Sequence, residues 1–328
     1  MEVINMSSIY NAGPVYSGIH TLLGLPYDKD AKDADVALYG MPFDISTTNR
    51  TGCRFGPEGI RQYGQCKPYH EELDINIFDD FKAVDTGDFA IPLSYVDRDM
   101  DAVENQLYEL LEKGVKTIGV GGDHTLSYPE LLALKRKFGN LDDDFSGSRM
   151  DAEKMVNNFT VTLTDENGNT LINHGTPFRL AIQHDCIDMD HAIQIGMRGG
   201  FGTLEDHDFA LEHGMQIIFG NELHEMGMSA CAKRIREVVG DTPVFVTFDI
   251  DFLDPAVAPG TGTPIVGGFT TAEALQILRE GLTRLNIVAM DLVEVAPAYD
   301  PTGQTQVVAN EILREFLSIL SYNKKVGK

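Results

Sequence analysis

One stretch constrains the fold more than any other: Pro243-Val-Phe-Val-Thr-Phe-Asp-Ile-Asp-Phe-Leu-Asp-Pro255. Its first half is a continuous apolar, β-branched run, the composition of a central strand buried on both faces, as strands are in parallel sheets covered by helices. Its second half sets Asp249 and Asp251 at the expected strand end. With a side-chain period of two, both carboxylates face the same way, which suits a joint grip on a hard divalent cation. An Asp-x-Asp pair alone equally describes a capped strand end with solvated acids, so the rest of the chain must decide.

The surrounding sequence repeats the same theme. Asp35–Gly40, Lys82–Asp88, Lys116–His124, Ala192–Arg198, Met215–Phe219 and Asn286–Pro297 read as further strands. Helices are expected from Glu58 to Tyr63, over Asp99–Lys113, from Ser127 to Phe138, and near 229–239, 271–283 and 305–321. On the second of these, Val103, Leu107, Leu110 and Leu111 share one face. Ser127 and Glu130 have capping-box spacing, with Pro129 in the first turn. Strand, turn, helix, strand at this spacing means parallel βαβ units. The reading is an α/β chain, a three-layer αβα domain with a mainly parallel sheet over 35–328, preceded by an N-terminal arm at 1–34 whose Gly and Pro interrupt any helical period. Met41–Pro57, a long loop rich in Gly, Pro and short polar residues after the first strand, is a candidate substrate loop. The rhythm fails at 140–173, where no apolar strand is legible and Phe159–Leu171 reads as an exposed hairpin turning at Asn167-Gly168.

Charge narrows the partners. With 50 acidic against 26 basic residues and a net charge of -24, a nucleic-acid backbone is excluded as a partner and a cationic small molecule is favoured. Cys53, Cys66, Cys186 and Cys231 have no CxxC or CxxH spacing, which argues against a zinc ribbon or disulfide framework and for a reducing compartment. No apolar run approaches the roughly 18 residues that span a bilayer, and no secretory signal opens the chain, so no membrane partner and a cytoplasmic location are expected.

In open α/β sheets ligands bind beyond the carboxyl ends of strands. Three such ends carry metal-ligand residue types: His124 in Gly-Gly-Asp-His, the Asp249/Asp251 pair, and Asp291-Leu-Val-Glu294. One imidazole and two carboxylates suit Mn²⁺, or alternatively Ni²⁺ or Zn²⁺. Gly121-Gly-Asp-His-Thr125, His174-Gly-Thr-Pro-Phe-Arg179, Phe248–Pro255 with Ala258-Pro-Gly-Thr-Gly-Thr-Pro264, and Asp291–Asp300 together resemble the ureohydrolase (arginase/agmatinase) family, most of all its agmatinase branch. The similarity runs from about Asp35 to the last helix.

The resemblance implies an arginase-like fold and a binuclear Mn²⁺ centre. His124 matches a ligand of one metal, Asp249 the aspartate that touches both, and Asp251 a ligand of the second. It also implies hydrolysis of a linear guanidino compound, agmatine to putrescine and urea, by a metal-bound hydroxide, a step of polyamine biosynthesis. His174 matches the histidine that relays a proton to the leaving amine, and Glu294 the carboxylate that holds the guanidinium. Relatives are trimers or hexamers, so a homo-oligomer is implied. Guanidinobutyrate and guanidinopropionate are alternative substrates.

The family's middle metal motif, Asp-Ala-His-x-Asp, has no match between Gly139 and His174; Asp151 or Asp165 could occupy one of its positions, and no histidine does. Gln183-His-Asp-Cys-Ile-Asp188 is expected to be a decoy, with His184 and Asp185 at the surface. A second reading therefore stands beside the enzyme: a metal-impaired or non-catalytic homologue acting as a binding or assembly subunit.

Overall fold

The computed structural model describes residues 17–139, 146–150, 170–199 and 208–328. In chain order the strands are β1 (Val36–Met41), β2 (Tyr69–His70), β3 (Ile75–Asn76), β4 (Ala83–Asp88), β5 (Lys116–Gly121), β6 (Ser146–Met150), β7 (Ile193–Met197), β8 (Gln216–Phe219), β9 (Pro243–Asp249) and β10 (Asn286–Val293). The α-helices are α1 (Gly56–Tyr63), α2 (Val96–Leu111), α3 (Ser127–Phe138), α4 (Pro177–Gln183), α5 (Asp208–Glu212), α6 (Gly220–Met226), α7 (Met228–Val239), α8 (Thr271–Leu282) and α9 (Gln304–Lys325). Among the described residues, eight strands form one sheet in the order β4-β1-β5-β10-β9-β6-β7-β8, with neighbours parallel throughout. β2 and β3 form a separate antiparallel pair.

The period of two sorts the strand side chains into two cores. Val36, Leu38, Val244, Val246 and Phe248 face one side, where α1, α7, α8 and α9 supply Ile60, Ile235, Ile277 and Phe316. Ala37, Tyr39, Met41 and Phe245 face the other, against Val103 and Leu107 of α2, Leu131 of α3 and Phe178 of α4. Strands apolar on both faces therefore lie between two helical layers, each fully buried Leu, Ile or Phe contributing roughly 1.5–3 kcal/mol of transfer free energy. The end of the expected arm belongs to this packing, since Leu22, Leu23 and Leu25 are buried in the first core and Leu22 N–H donates to Asp85 Oδ2 (2.7 Å).

Three expectations are corrected. The slot between β9 and β7 is occupied by β6, a strand in the segment where none was legible; backbone pairing to both neighbours does not require an apolar sequence. Asp251 is not on the strand, because β9 ends at Asp249 and Ile250–Phe252 form a 3₁₀ turn that Asp249 caps, its Oδ1 accepting Asp251 N–H (2.9 Å). The capping box of α3 is not formed either. Ser127 is the first residue of the helix and its hydroxyl donates to Asp291 Oδ2 (2.6 Å), while Glu130 is buried and accepts the Tyr39 hydroxyl. His184 and Asp185 are exposed, as expected of a decoy. The hairpin at Asn167-Gly168, Asp151 and Asp165 lie outside the described residues.

Candidate active site

β5, β10 and β9 are consecutive in the sheet, so the residues that follow them meet at one carboxyl edge near its centre. His124 follows β5, Asp249 ends β9 and Glu294 follows β10; all three are buried. Two glycines permit the convergence. A Cβ on Gly122 would stand 1.9 Å from Phe43 O, and one on Gly262 would stand 2.9 Å from Arg50 O and 3.3 Å from Glu294 Oε2. Glu294 itself has φ +67°, a left-handed conformation uncommon outside glycine, and its N–H donates to Gly122 O (2.8 Å). Such backbone costs on the order of 1–3 kcal/mol and persists where the surroundings fix it.

His124 Nδ1 lies 3.0 Å from Asp249 Oδ2 and its Nε2 3.1 Å from Thr247 Oγ1. The Phe178 ring, from the His-Gly-Thr-Pro-Phe-Arg motif, stands nearly perpendicular to the His124 ring at 5.5 Å between centroids. Asp251 Oδ2 accepts the Thr263 hydroxyl (3.0 Å), and Arg198 holds the turn by donating to the carbonyls of Asp251, Leu253 and Ile265. Burial, reinforced by the charge of Asp249, pushes the Asp251 carboxyl well above its usual range.

His174 and Glu294 come together beside this edge. Thr48 N–H donates to His174 Nε2 (3.1 Å), which makes Nε2 an acceptor and leaves Nδ1–H to donate to Glu294 Oε1 (3.0 Å). The Thr48 hydroxyl lies 2.6 Å from the same Nε2. Glu294 Oε1 also accepts His124 N–H (2.9 Å), and Oε2 accepts the Cys53 thiol (3.2 Å). Burial alone would raise the Glu294 carboxyl, but the electrostatic attraction of His174, its hydrogen bond and the His124 N–H outweigh it and hold Glu294 below the usual glutamate value. Asp123 differs. Burial, followed by the charge of Glu294, raises it to about 7, and it accepts Thr125 N–H (3.0 Å) and the Thr47 hydroxyl (3.2 Å).

The five residues singled out in the sequence, His124, His174, Asp249, Asp251 and Glu294, thus lie at one edge of the sheet. Sequence reasoning marked the 41–57 loop as a whole but not Thr47, Thr48 or Cys53 within it, and it passed over Asp123, Thr247 and Arg198. Thr263 sat inside a quoted motif without a role. The missed hydroxyls and thiol have no spacing signal, because their partners are distant in the chain.

As a donor set, one imidazole and two carboxylates fit a hard divalent cation. Asp251 Oδ1 supports the fit, being buried with no hydrogen-bond partner among the described residues. Among those residues no three His, Cys, Asp or Glu groups gather closely enough to hold a metal ion by themselves.

The arginase family's sequence profile matches residues 34–318. The chain belongs to the arginase family. It is 37% identical over 316 residues to a guanidinobutyrase of Pseudomonas aeruginosa, covering 94% of this chain and 95% of that protein. It is 38% identical over 325 residues to an agmatinase of Chromobacterium violaceum, covering 98% and 93%. Among solved structures it resembles the proclavaminate amidino hydrolase from Streptomyces clavuligerus, with a TM-score of 0.83, 34% identity, and coverage of 95% of this chain and 100% of that one. This family member has no helix among its described residues long and apolar enough to cross a membrane.

Proposed function

We propose that this arginase-family chain hydrolyses a linear guanidino compound to urea and an amine, with agmatine, yielding putrescine, as the first substrate to test. The reading rests above all on the buried, ionised Glu294 carboxylate, bonded to His174 beside the Asp249/Asp251 turn. A guanidinium cation is matched by a buried carboxylate that accepts its charged N–H donor. His174 is the proton relay, standing one hydrogen bond from the group that binds substrate and able to pass a proton to the departing amine. His124, Asp249 and Asp251 are the residues that would hold Mn²⁺. When bound, such a cation supplies Lewis-acid chemistry that makes water nucleophilic near neutral pH. Burial of the site excludes competing water and strengthens each of these interactions.

The acidic chain favours dicationic agmatine over guanidinobutyrate and guanidinopropionate by long-range attraction, and the 41–57 loop is the part that would read substrate length. We further place the protein in the cytoplasm as a homo-oligomer, a trimer or hexamer, with 35–328 as one ureohydrolase-like domain behind the 1–34 arm. The test is urea release from the three compounds after Mn²⁺ loading, with metal analysis of the purified protein. Turnover with bound Mn²⁺, fastest on agmatine, is expected. No bound Mn²⁺ and no urea from any of the three would overturn the enzyme in favour of the non-catalytic assembly subunit; faster turnover of a guanidino acid would overturn the substrate.

A further inference from the structure

Glu294 has a third partner that neither metal holding nor proton relay requires. Cys53 is 0% exposed, Glu294 1%, and the Cys53 thiol donates to Glu294 Oε2 at 3.2 Å. Cys53 opens the 3₁₀ turn Cys53–Phe55 at the end of the 41–57 loop. Its backbone is pinned on both sides by buried Asp44, whose Oδ2 accepts Gly52 N–H (2.6 Å) and Arg54 N–H (3.3 Å) and whose Oδ1 accepts Arg54 Nε–H. The turn is thereby built to present one sulfur to one carboxylate oxygen.

Burial, then the negative charge of Glu294, pushes the Cys53 thiol well up, so the sulfur keeps its proton and acts as a donor. The two oxygens of Glu294 are used unequally. Oε1 already accepts two N–H groups, from His124 and His174, whereas among the described residues Oε2 accepts only the weak S–H donor. A carboxylate oxygen has two acceptor sites, so Oε2 keeps one, and the missing Cβ of Gly262 leaves space beside it. A guanidinium N–H is a charged and stronger donor than a thiol, and the retained site on Oε2 suits it.

We propose that Cys53 is a positioning residue for guanidinium recognition: its thiol fixes the rotation of the Glu294 carboxylate so that Oε2 is the oxygen offered to the substrate. This inference rests on the guanidino-hydrolase reading given above. The Mn²⁺-loaded full chain is compared as wild type, Cys53→Ala and Cys53→Ser, with steady-state urea release and calorimetric binding of agmatine measured side by side. Cys53→Ala raises KM and the agmatine Kd about tenfold while kcat changes less than about threefold; Cys53→Ser, which keeps a donor in place, returns both to within about threefold of wild type. Should Cys53→Ala fail to fold, Cys53→Val fills the volume without a donor and carries the same expectation. An unchanged KM and Kd in the donor-free variant, with wild type turning over normally, overturns the role of Cys53 alone. Equal impairment in Cys53→Ser also overturns it, because a purely steric role would not be rescued by the hydroxyl. A wild type that neither binds nor hydrolyses any of the three guanidino compounds overturns both readings.

Discussion

Glu294 and Asp251 are carboxylates of one buried site, and their acidities are displaced in opposite directions. Burial raises both. Glu294 nevertheless lies below its usual value, because His174 attracts it electrostatically and His174 Nδ1–H and His124 N–H converge on one oxygen. Asp251 lies well above, because Asp249 adds a second negative charge and, among the described residues, one oxygen takes only the Thr263 hydroxyl and the other has no partner. The Arg198 guanidinium lowers it, but not enough. One half of the site is organised by the protein's own donors. The other leaves one buried oxygen of Asp251 without a hydrogen-bond partner among the described residues, and that oxygen is the one a bound cation would use.

The largest expected effect comes from the half that the protein organises. Glu294→Gln keeps an acceptor for His174 but removes the charge that pairs with the guanidinium, so kcat/KM for agmatine should fall about 10²-fold, roughly 2.7 kcal/mol of transition-state stabilisation. A loss smaller than about threefold in the urea assay would break the comparison, since Glu294 would then not be the carboxylate that meets substrate.

A smaller effect comes from a third buried acid. Glu130, which bonds the Tyr39 hydroxyl, is raised well above its usual value by burial and then by the charge of Asp291. Raised in the folded state, it contributes stability that is fully present below the ordinary glutamate range and is lost as pH rises through the raised value. Glu130→Gln should therefore flatten the fall of unfolding free energy as pH rises above the ordinary glutamate range, measured by urea denaturation, with little change in agmatine turnover at neutral pH. An unchanged slope would show that a raised buried acid in this chain does not by itself weaken the fold, and the contrast between Asp251 and Glu294 would lose its energetic meaning.

Much of this was legible in the sequence because it depends on local pattern. The apolar run at 243–249, the Gly-Gly-Asp-His turn and the acids after Asn286 each follow from strand chemistry, and they meet because their three strands are neighbours in the sheet. What was not legible depends on tertiary partners. Ser127 has the spacing of a helix cap but bonds Asp291, 164 residues away in sequence. Asp251 leaves the strand because Asp249 captures its N–H and starts a turn, a choice that an alternating pattern does not reveal. Ser146–Met150 joins the sheet by backbone pairing on both sides, without an apolar sequence to announce it. Cys53 and Thr48 have no motif of their own; their meaning comes from Glu294 and His174 across the site.

The most direct test of the contrast between the two halves is the change in melting temperature when Mn²⁺ is added to wild type, Asp251→Asn and Glu294→Gln. Binding at about a hundredfold above Kd adds roughly 2.7 kcal/mol, so wild type and Glu294→Gln should both rise by about 5 °C, and Asp251→Asn should rise far less. A wild type whose melting temperature ignores Mn²⁺, or an Asp251→Asn protein that responds as fully as wild type, would contradict the account.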